Sequence, residues 1–268
     1  MSMFQNADYT VLDHPKVLSS IFHPRREPYL KWGINKGMEI DIPVEKDVSI
    51  GACFHMTDDK NSPSLLFFHG NGEIVADYDD LGTLYRDAGI NFLVVDYRGY
   101  GRSSGRPTVS AMMGDSHLIL AFVKNYLQEN GYKGTLSIMG RSLGSAPALE
   151  LAASPSSSNL FQSLILESGF AFASPLLRVL GVHPEEMGFQ EDQGFSHMEK
   201  IKKWTGPTLI IHGEFDHIIP FSDGEALFHA CPSQNKTLLK INGADHNNIF
   251  MVGMDIYMEK IRELLFHT

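Results

Sequence analysis

Apolar residues arrive in short blocks separated by longer stretches of mixed polarity, the pattern of strands alternating with helices. Ser64-Leu65-Leu66-Phe67-Phe68 is apolar almost without interruption, which suits a strand buried on both faces. Residues 91–96, 135–139, 163–167, 208–211 and 237–241 have the same strand-like form, and 38–42 with 48–54 resemble an initial antiparallel pair. Residues 77–88, 109–130, 143–153 and 251–266 predict helices, the second closed by Gly131 as a C-terminal stop. This alternation predicts an α/β fold with a mostly parallel central sheet flanked by helices.

Residues 169–203 fit the alternation least. Phe170, Phe172, Leu176, Leu177, Val179, Leu180, Val182, Met187, Phe189 and Phe195 are broken there by Gly181, Pro184, Gly188 and Gly194. Such an excursion between strands either completes the core on one flank of the sheet or serves a site.

The chemistry is concentrated at the ends of the strand-like runs. Gly140-Arg141-Ser142-Leu143-Gly144 lies between an apolar run and a helix-forming stretch, the sequence form of a nucleophile elbow. A serine there turns so sharply that the residues two before and two after it crowd their neighbours, and glycine relieves the crowding. The N–H of Leu143, at a helix start, then points where an oxyanion would form. The pattern occurs a second time, at Gly101-Arg102-Ser103-Ser104-Gly105, but there Tyr97-Arg98-Gly99-Tyr100 intervenes after the run and Arg106-Pro107 follows. Proline disfavours an immediate helix, so Ser142 is the expected nucleophile and Ser103 the decoy.

Serine needs a base, and the base needs a group to orient it. After the run at 208–211 come His212-Gly213-Glu214-Phe215-Asp216-His217, which place either Glu214 or Asp216 just past a strand's carboxyl end. After the last strand-like run comes Asn242-Gly243-Ala244-Asp245-His246, so His246 is preferred as base to His212, which lies within a strand, and to His217. The apolar run at 64–68 leads into His69-Gly70-Asn71-Gly72-Glu73, where two glycines let the chain present a backbone amide toward Ser142, expected to be that of Asn71.

The ordered set His69-Gly70-Asn71-Gly72, Asp96-Tyr97-Arg98-Gly99-Tyr100-Gly101, Gly140 to Gly144, Gly213 to Asp216 and Ala244-Asp245-His246 resembles the α/β-hydrolases over about residues 40–268. It is similar in particular to the esterase, lysophospholipase-like and protein-depalmitoylase-like serine hydrolases of that superfamily. The resemblance implies the α/β-hydrolase fold, with Ser142 as nucleophile, Asp216 rather than Glu214 as acid, His246 as base, and the amides of Asn71 and Leu143 as oxyanion hole. It also implies that Asp96 and Arg98 are structural, with Arg98 paired to a carboxylate, and that 169–203 is a small lid insertion. Arg141 departs from the His or Asp that many such esterases carry. It is expected to face solvent, or else to recognise an anionic substrate group through its planar fork of donors.

Length and composition narrow the rest. A chain of 268 residues, with motifs spread from His69 to His246, reads as one domain with 1–37 as an N-terminal extension. The formal charge of −10 opposes unspecific binding to nucleic acid or anionic membranes, and His23-Pro24-Arg25-Arg26 reads as an exposed turn rather than a basic patch. No apolar stretch is long enough for a spanning helix and residues 1–15 lack a secretory pattern, so a cytoplasmic location is expected. Two cysteines, Cys53 and Cys231, in unrelated contexts suggest neither a disulfide nor a zinc site.

The expected function is hydrolysis of a small-molecule carboxylic ester or thioester, acyl-bearing on the evidence of the apolar insertion, through an acyl-enzyme and without metal or organic cofactor. A peptidase or amidase on the same triad is the alternative, followed by a non-catalytic binding protein on the same fold. Ser142 argues against the dehalogenase and epoxide hydrolase chemistries, which use a carboxylate there. Nothing in the sequence fixes the oligomeric state.

Overall fold

The computed structural model describes residues 8–27, 37–187, 189, 191 and 194–267. Eight strands form one sheet in the order β1-β2-β4-β3-β5-β6-β7-β8. Their bounds are β1 Met38–Glu45, β2 Val48–His55, β3 Ser64–Phe68, β4 Asn91–Val95, β5 Leu136–Arg141, β6 Leu164–Glu167, β7 Thr208–Gly213 and β8 Lys236–Ile241. β2 is antiparallel to both β1 and β4, and the remaining pairs are parallel. Every strand-like run of the sequence is a strand, and the expected mostly parallel sheet is present.

The central strands explain their own continuity. In β3, Leu66 and Phe68 point into one apolar layer while Leu65 and Phe67 point into the other, and β4 divides Leu93 and Val95 from Phe92 and Val94 in the same way. Each face is covered by helices: α2 (Asp79–Asp87) and α8 (Ile249–Phe266) on one, α3 (Val109–Glu129), α4 (Ser145–Ala153) and α7 (Phe221–Ala230) on the other. Phe92 stacks on Tyr85 of α2 at 4.4 Å between centroids and meets Phe67 at 5.2 Å. Fully burying a side chain of this size contributes about 1.5–3 kcal/mol.

Helix α7 carries no sequence expectation, and neither do the short helices α1 (Pro15–Ile21), α5 (Ala173–Val179) and α6 (His197–Ile201). The expected helix at 77–88 begins as a 3-10 turn, Val75–Tyr78, and the terminal helix starts at Ile249 and kinks at Gly253. A Cβ on Gly253 would lie 2.7 Å from Ile241 Cδ1, so the kink accompanies close packing of α8 on β8.

The N-terminal segment is integral over its described part, 8–27 and Gly37. Tyr9, Leu12, Val17, Ile21 and Phe22 are buried in the same layer as α3 and α4. The turn at His23 to Arg26 is exposed, yet its cations are engaged: Arg25 pairs with Asp77 and donates to the Gly72 carbonyl, and Arg26 donates to the Ser103 carbonyl. Within 169–203, the described residues form α5, a 3-10 turn (Pro184–Met187) and α6; Gly188 lies outside the described residues. No helix among the described residues is long and apolar enough to cross a membrane.

Candidate active site

The elbow leaves β5 through Ser142, whose φ of 51° is one of four positive values among described non-glycine residues. Such a conformation costs about 1–3 kcal/mol and persists only where packing enforces it. The enforcement is visible at the flanking glycines: a Cβ on Gly140 would stand 2.2 Å from the Gly144 carbonyl oxygen, and one on Gly144 2.0 Å from that of Phe68. Ser145 of α4 donates to the Ser142 carbonyl at 2.7 Å and secures the turn.

Ser142 Oγ lies 3.0 Å from His246 Nε2, and His246 Nδ1 lies 2.7 Å from Asp216 Oδ2. All three residues are buried. The other Asp216 oxygen accepts the backbone N–H groups of Ile218, at 3.0 Å, and Ile219, at 2.8 Å. Burial pushes the Asp216 carboxyl up, but hydrogen bonds from His212, His246 and the Ile219 amide, with the charge of His246, hold it well below the usual carboxylate range. A carboxylate there favours a proton on Nδ1 and leaves Nε2 to accept from the serine. The loops of acid and base are joined by backbone: Glu214 N–H donates to the Ile241 carbonyl at 3.0 Å and Phe215 N–H to that of Ala244 at 2.8 Å.

The rival residues have other partners. Glu214 pairs with Lys240 and accepts from the Gly243 amide, His217 is exposed, and buried His212 contacts the Ile219 carbonyl at 2.8 Å, bracing the acid loop. Ser103 is buried and its hydroxyl accepts from the Gly51 amide at 2.8 Å. Arg98 clamps Asp115 with two bonds of 2.7 and 2.8 Å, and Asp96 accepts from the Val75 amide at 3.0 Å, the structural roles expected of them.

Asn71 and Leu143 both line the cavity beside Ser142. The Asn71 side chain is held by His23 and Tyr100: its oxygen accepts from the His23 amide and the Tyr100 hydroxyl, each at 2.9 Å, and its nitrogen lies 2.7 Å from His23 Nδ1. The cavity, about 180 Å³, is walled by Ile21, Leu143, Phe170, Leu176, Leu177 and Phe195. Sequence reasoning did not connect Ile21 and His23 to this region, because contacts made across 48 residues leave no local signature.

Arg141 corrects the expectation of a solvent-facing side chain. It is 12% exposed, pairs with Glu73 and with Glu167, and donates to the His246 carbonyl at 2.8 Å. Arg141 stands opposite Glu167 in the β5–β6 register. With its nitrogens so engaged, it also does not offer the free fork that anion recognition requires.

Among the described residues one group has donors suited to a metal, Cys53, His55 and Asp79, within 4.8 Å of one another and away from the cavity. Burial and the nearby Arg86 charge push His55 down to about 4.

A family model described as serine aminopeptidase, S33, matches residues 59–183. Alpha/beta hydrolase domain-containing protein 17B of Homo sapiens is 32% identical over 222 residues, spanning 80% of this chain and 70% of that protein. Among solved structures, the esterase Pf2001 of Pyrococcus furiosus superposes with a TM-score of 0.69 at 17% identity, covering 91% of this chain and 98% of the other. The monoacylglycerol lipase of Paleococcus ferrophilus gives 0.62 at 18% identity, covering 82% and 99%. At such identities the structural likenesses speak for the fold.

Proposed function

Since the chain belongs to the α/β-hydrolase family, we propose that it is a serine hydrolase cleaving a carboxylic ester or thioester through an acyl-enzyme. The observation that carries this reading is the unbroken line Asp216–His246–Ser142, at 2.7 and 3.0 Å, ending on a strained elbow beside an apolar cavity.

His246 Nε2 takes the Ser142 proton as Oγ bonds to the substrate carbonyl carbon, and the carbonyl π electrons move to oxygen. Asp216 stabilises the imidazolium. The amides of Asn71 and Leu143 serve the oxyanion, each such donor being worth about 3 kcal/mol in the transition state. Collapse expels the alcohol or thiol, which takes the proton from His246. Water, deprotonated by the same nitrogen, then attacks the acyl-serine and releases the acid.

The wall of Phe170, Leu176, Leu177 and Phe195 supports an apolar acyl group, with 169–203 acting as its cover. The ester reading is favoured over an aminopeptidase by Glu73. Among the described residues it is the one carboxylate lining the cavity, and its oxygens already serve Arg141, the Gly70 amide and the Tyr78 hydroxyl, so the described lining offers no free anion for a peptide's ammonium group.

The test is hydrolysis of a panel of p-nitrophenyl esters and S-acyl thioesters by the intact chain. Ser142→Ala and His246→Ala are each expected to lose at least about 10³-fold in kcat. Undiminished turnover by Ser142→Ala would remove the proposal.

A further inference from the structure

Arg141 is the most heavily committed polar side chain around Ser142. Nε lies 3.1 Å from Glu167 Oε1, one terminal nitrogen pairs with Glu73, and the other donates at 2.8 Å to the backbone carbonyl of His246. Its partners are anchored in turn: Glu73 accepts from the Gly70 amide at 2.6 Å and the Tyr78 hydroxyl at 2.6 Å, and Glu167 from the Tyr257 hydroxyl at 2.6 Å. Burial opposes the guanidinium charge, but Glu73, Tyr78, Glu167 and Tyr257 hold its pKa above the ordinary value.

One side chain therefore ties together four segments: the loop after β3 that carries Asn71, the strand that ends in the nucleophile, the end of β6 at Glu167, and the loop that carries His246. A buried cation between two carboxylates is seldom an economical source of stability, since well-packed apolar residues of similar volume often do as well or better. It does fix geometry, because a planar fork holds several acceptors at set angles. We infer that Arg141 and Glu73 form a positioning pair that sets the spacing between the Asn71 amide and the His246 imidazole around Ser142. The inference rests on the acyl-transfer reading above. Arg141 touches the residue that bears the imidazole at its own backbone, and Glu73 holds the amide next to Asn71; both side chains also border the cavity, but through these bonds a change at either moves the apparatus around Ser142.

Arg141→Lys keeps a charge but loses the fork. With p-nitrophenyl butyrate as probe, it is expected to lower kcat about 100-fold, the cost of a displacement near 1 Å, while KM stays within about threefold. Active sites are counted by fluorophosphonate titration. A merely structural role would reduce the number of reactive sites and leave the rate per site unchanged, whereas the pair predicts a full count of slow sites.

Glu73→Gln keeps an oxygen for the Gly70 amide but not the ion pair, and is expected to lose about tenfold in kcat. The double variant should be no slower than Arg141→Lys alone, since both act on one device. Wild-type kcat per titrated site in Arg141→Lys would overturn the inference, as would losses that multiply in the double variant. Should Arg141→Lys not fold, Glu73→Gln decides: wild-type kcat there overturns it equally. A wild-type chain that does not react with fluorophosphonate would instead defeat the serine-hydrolase reading, so the two failures are distinct.

Discussion

Gly144 lies so close to Phe68 that a Cβ atom on it would stand 2.0 Å from the Phe68 carbonyl oxygen. The start of the helix behind the nucleophile is thus seated on the end of the neighbouring strand, and that contact holds Ser142 at its positive φ. Gly144→Ala forces backbone apart. We expect a loss of about 1–3 kcal/mol in urea unfolding together with a fall of about 100-fold or more in kcat. Retained activity with lowered stability would separate the elbow's packing from its chemistry.

The acid can be assigned by paired substitution. Asp216→Asn leaves the loop's hydrogen-bond acceptor but removes the charge facing His246 Nδ1, so kcat should fall about 10³–10⁴-fold. Glu214→Gln, which disturbs a pair with Lys240 at 3.0 Å, should stay within about twofold of wild type in kcat. The reverse ranking would transfer the role to Glu214.

Leu176 lines the cavity on α5, with Leu177 and Phe195 beside it. Leu176→Trp should fill space used by the acyl group. For octanoyl esters we expect kcat/KM to fall by about tenfold or more, and for acetyl esters to change by less than about twofold. An equal loss for both would place the acyl group elsewhere.

Acid stability follows from two buried imidazoles. Burial and Arg86 push His55 down to about 4, and burial and Lys200 push His197 down to about 3. The unfolded chain takes up these protons near pH 6.5, whereas the fold does not. The stabilisation is therefore complete above about pH 6.5 and declines as pH falls, by about 1.4 kcal/mol per pH unit for each group. Urea unfolding from pH 7 to pH 5 should show this decline, and His55→Leu should be less steep by one group's share. An identical slope in wild type and variant would mean that His55 is not kept neutral by the fold.

The centre of the sheet was legible because its strands are apolar on both faces, as Leu65 to Phe68 show. Ser142 and His246 could be singled out because each follows a strand at its carboxyl end, whereas position left Glu214 and Asp216 both open and the family resemblance alone chose Asp216, the carboxylate that meets His246. The role of Arg141 was not, since its charge suggests solvent, and only the register with Glu167 and the return of Glu73 and His246 create a buried site for it. The short helices α5 and α6 and the cap from Ile21 to His23 depend on distant contacts more than on local periodicity. The two copies of the pentapeptide differ in what surrounds them, and the Ser103 hydroxyl is spent on the Gly51 amide.

The most direct measurement is peptide mapping by mass spectrometry after reaction with a fluorophosphonate. The account predicts a single adduct on Ser142, formed at least about 10³-fold more slowly when His246 is replaced by alanine. An adduct on Ser103, or labelling that persists in Ser142→Ala, would contradict it.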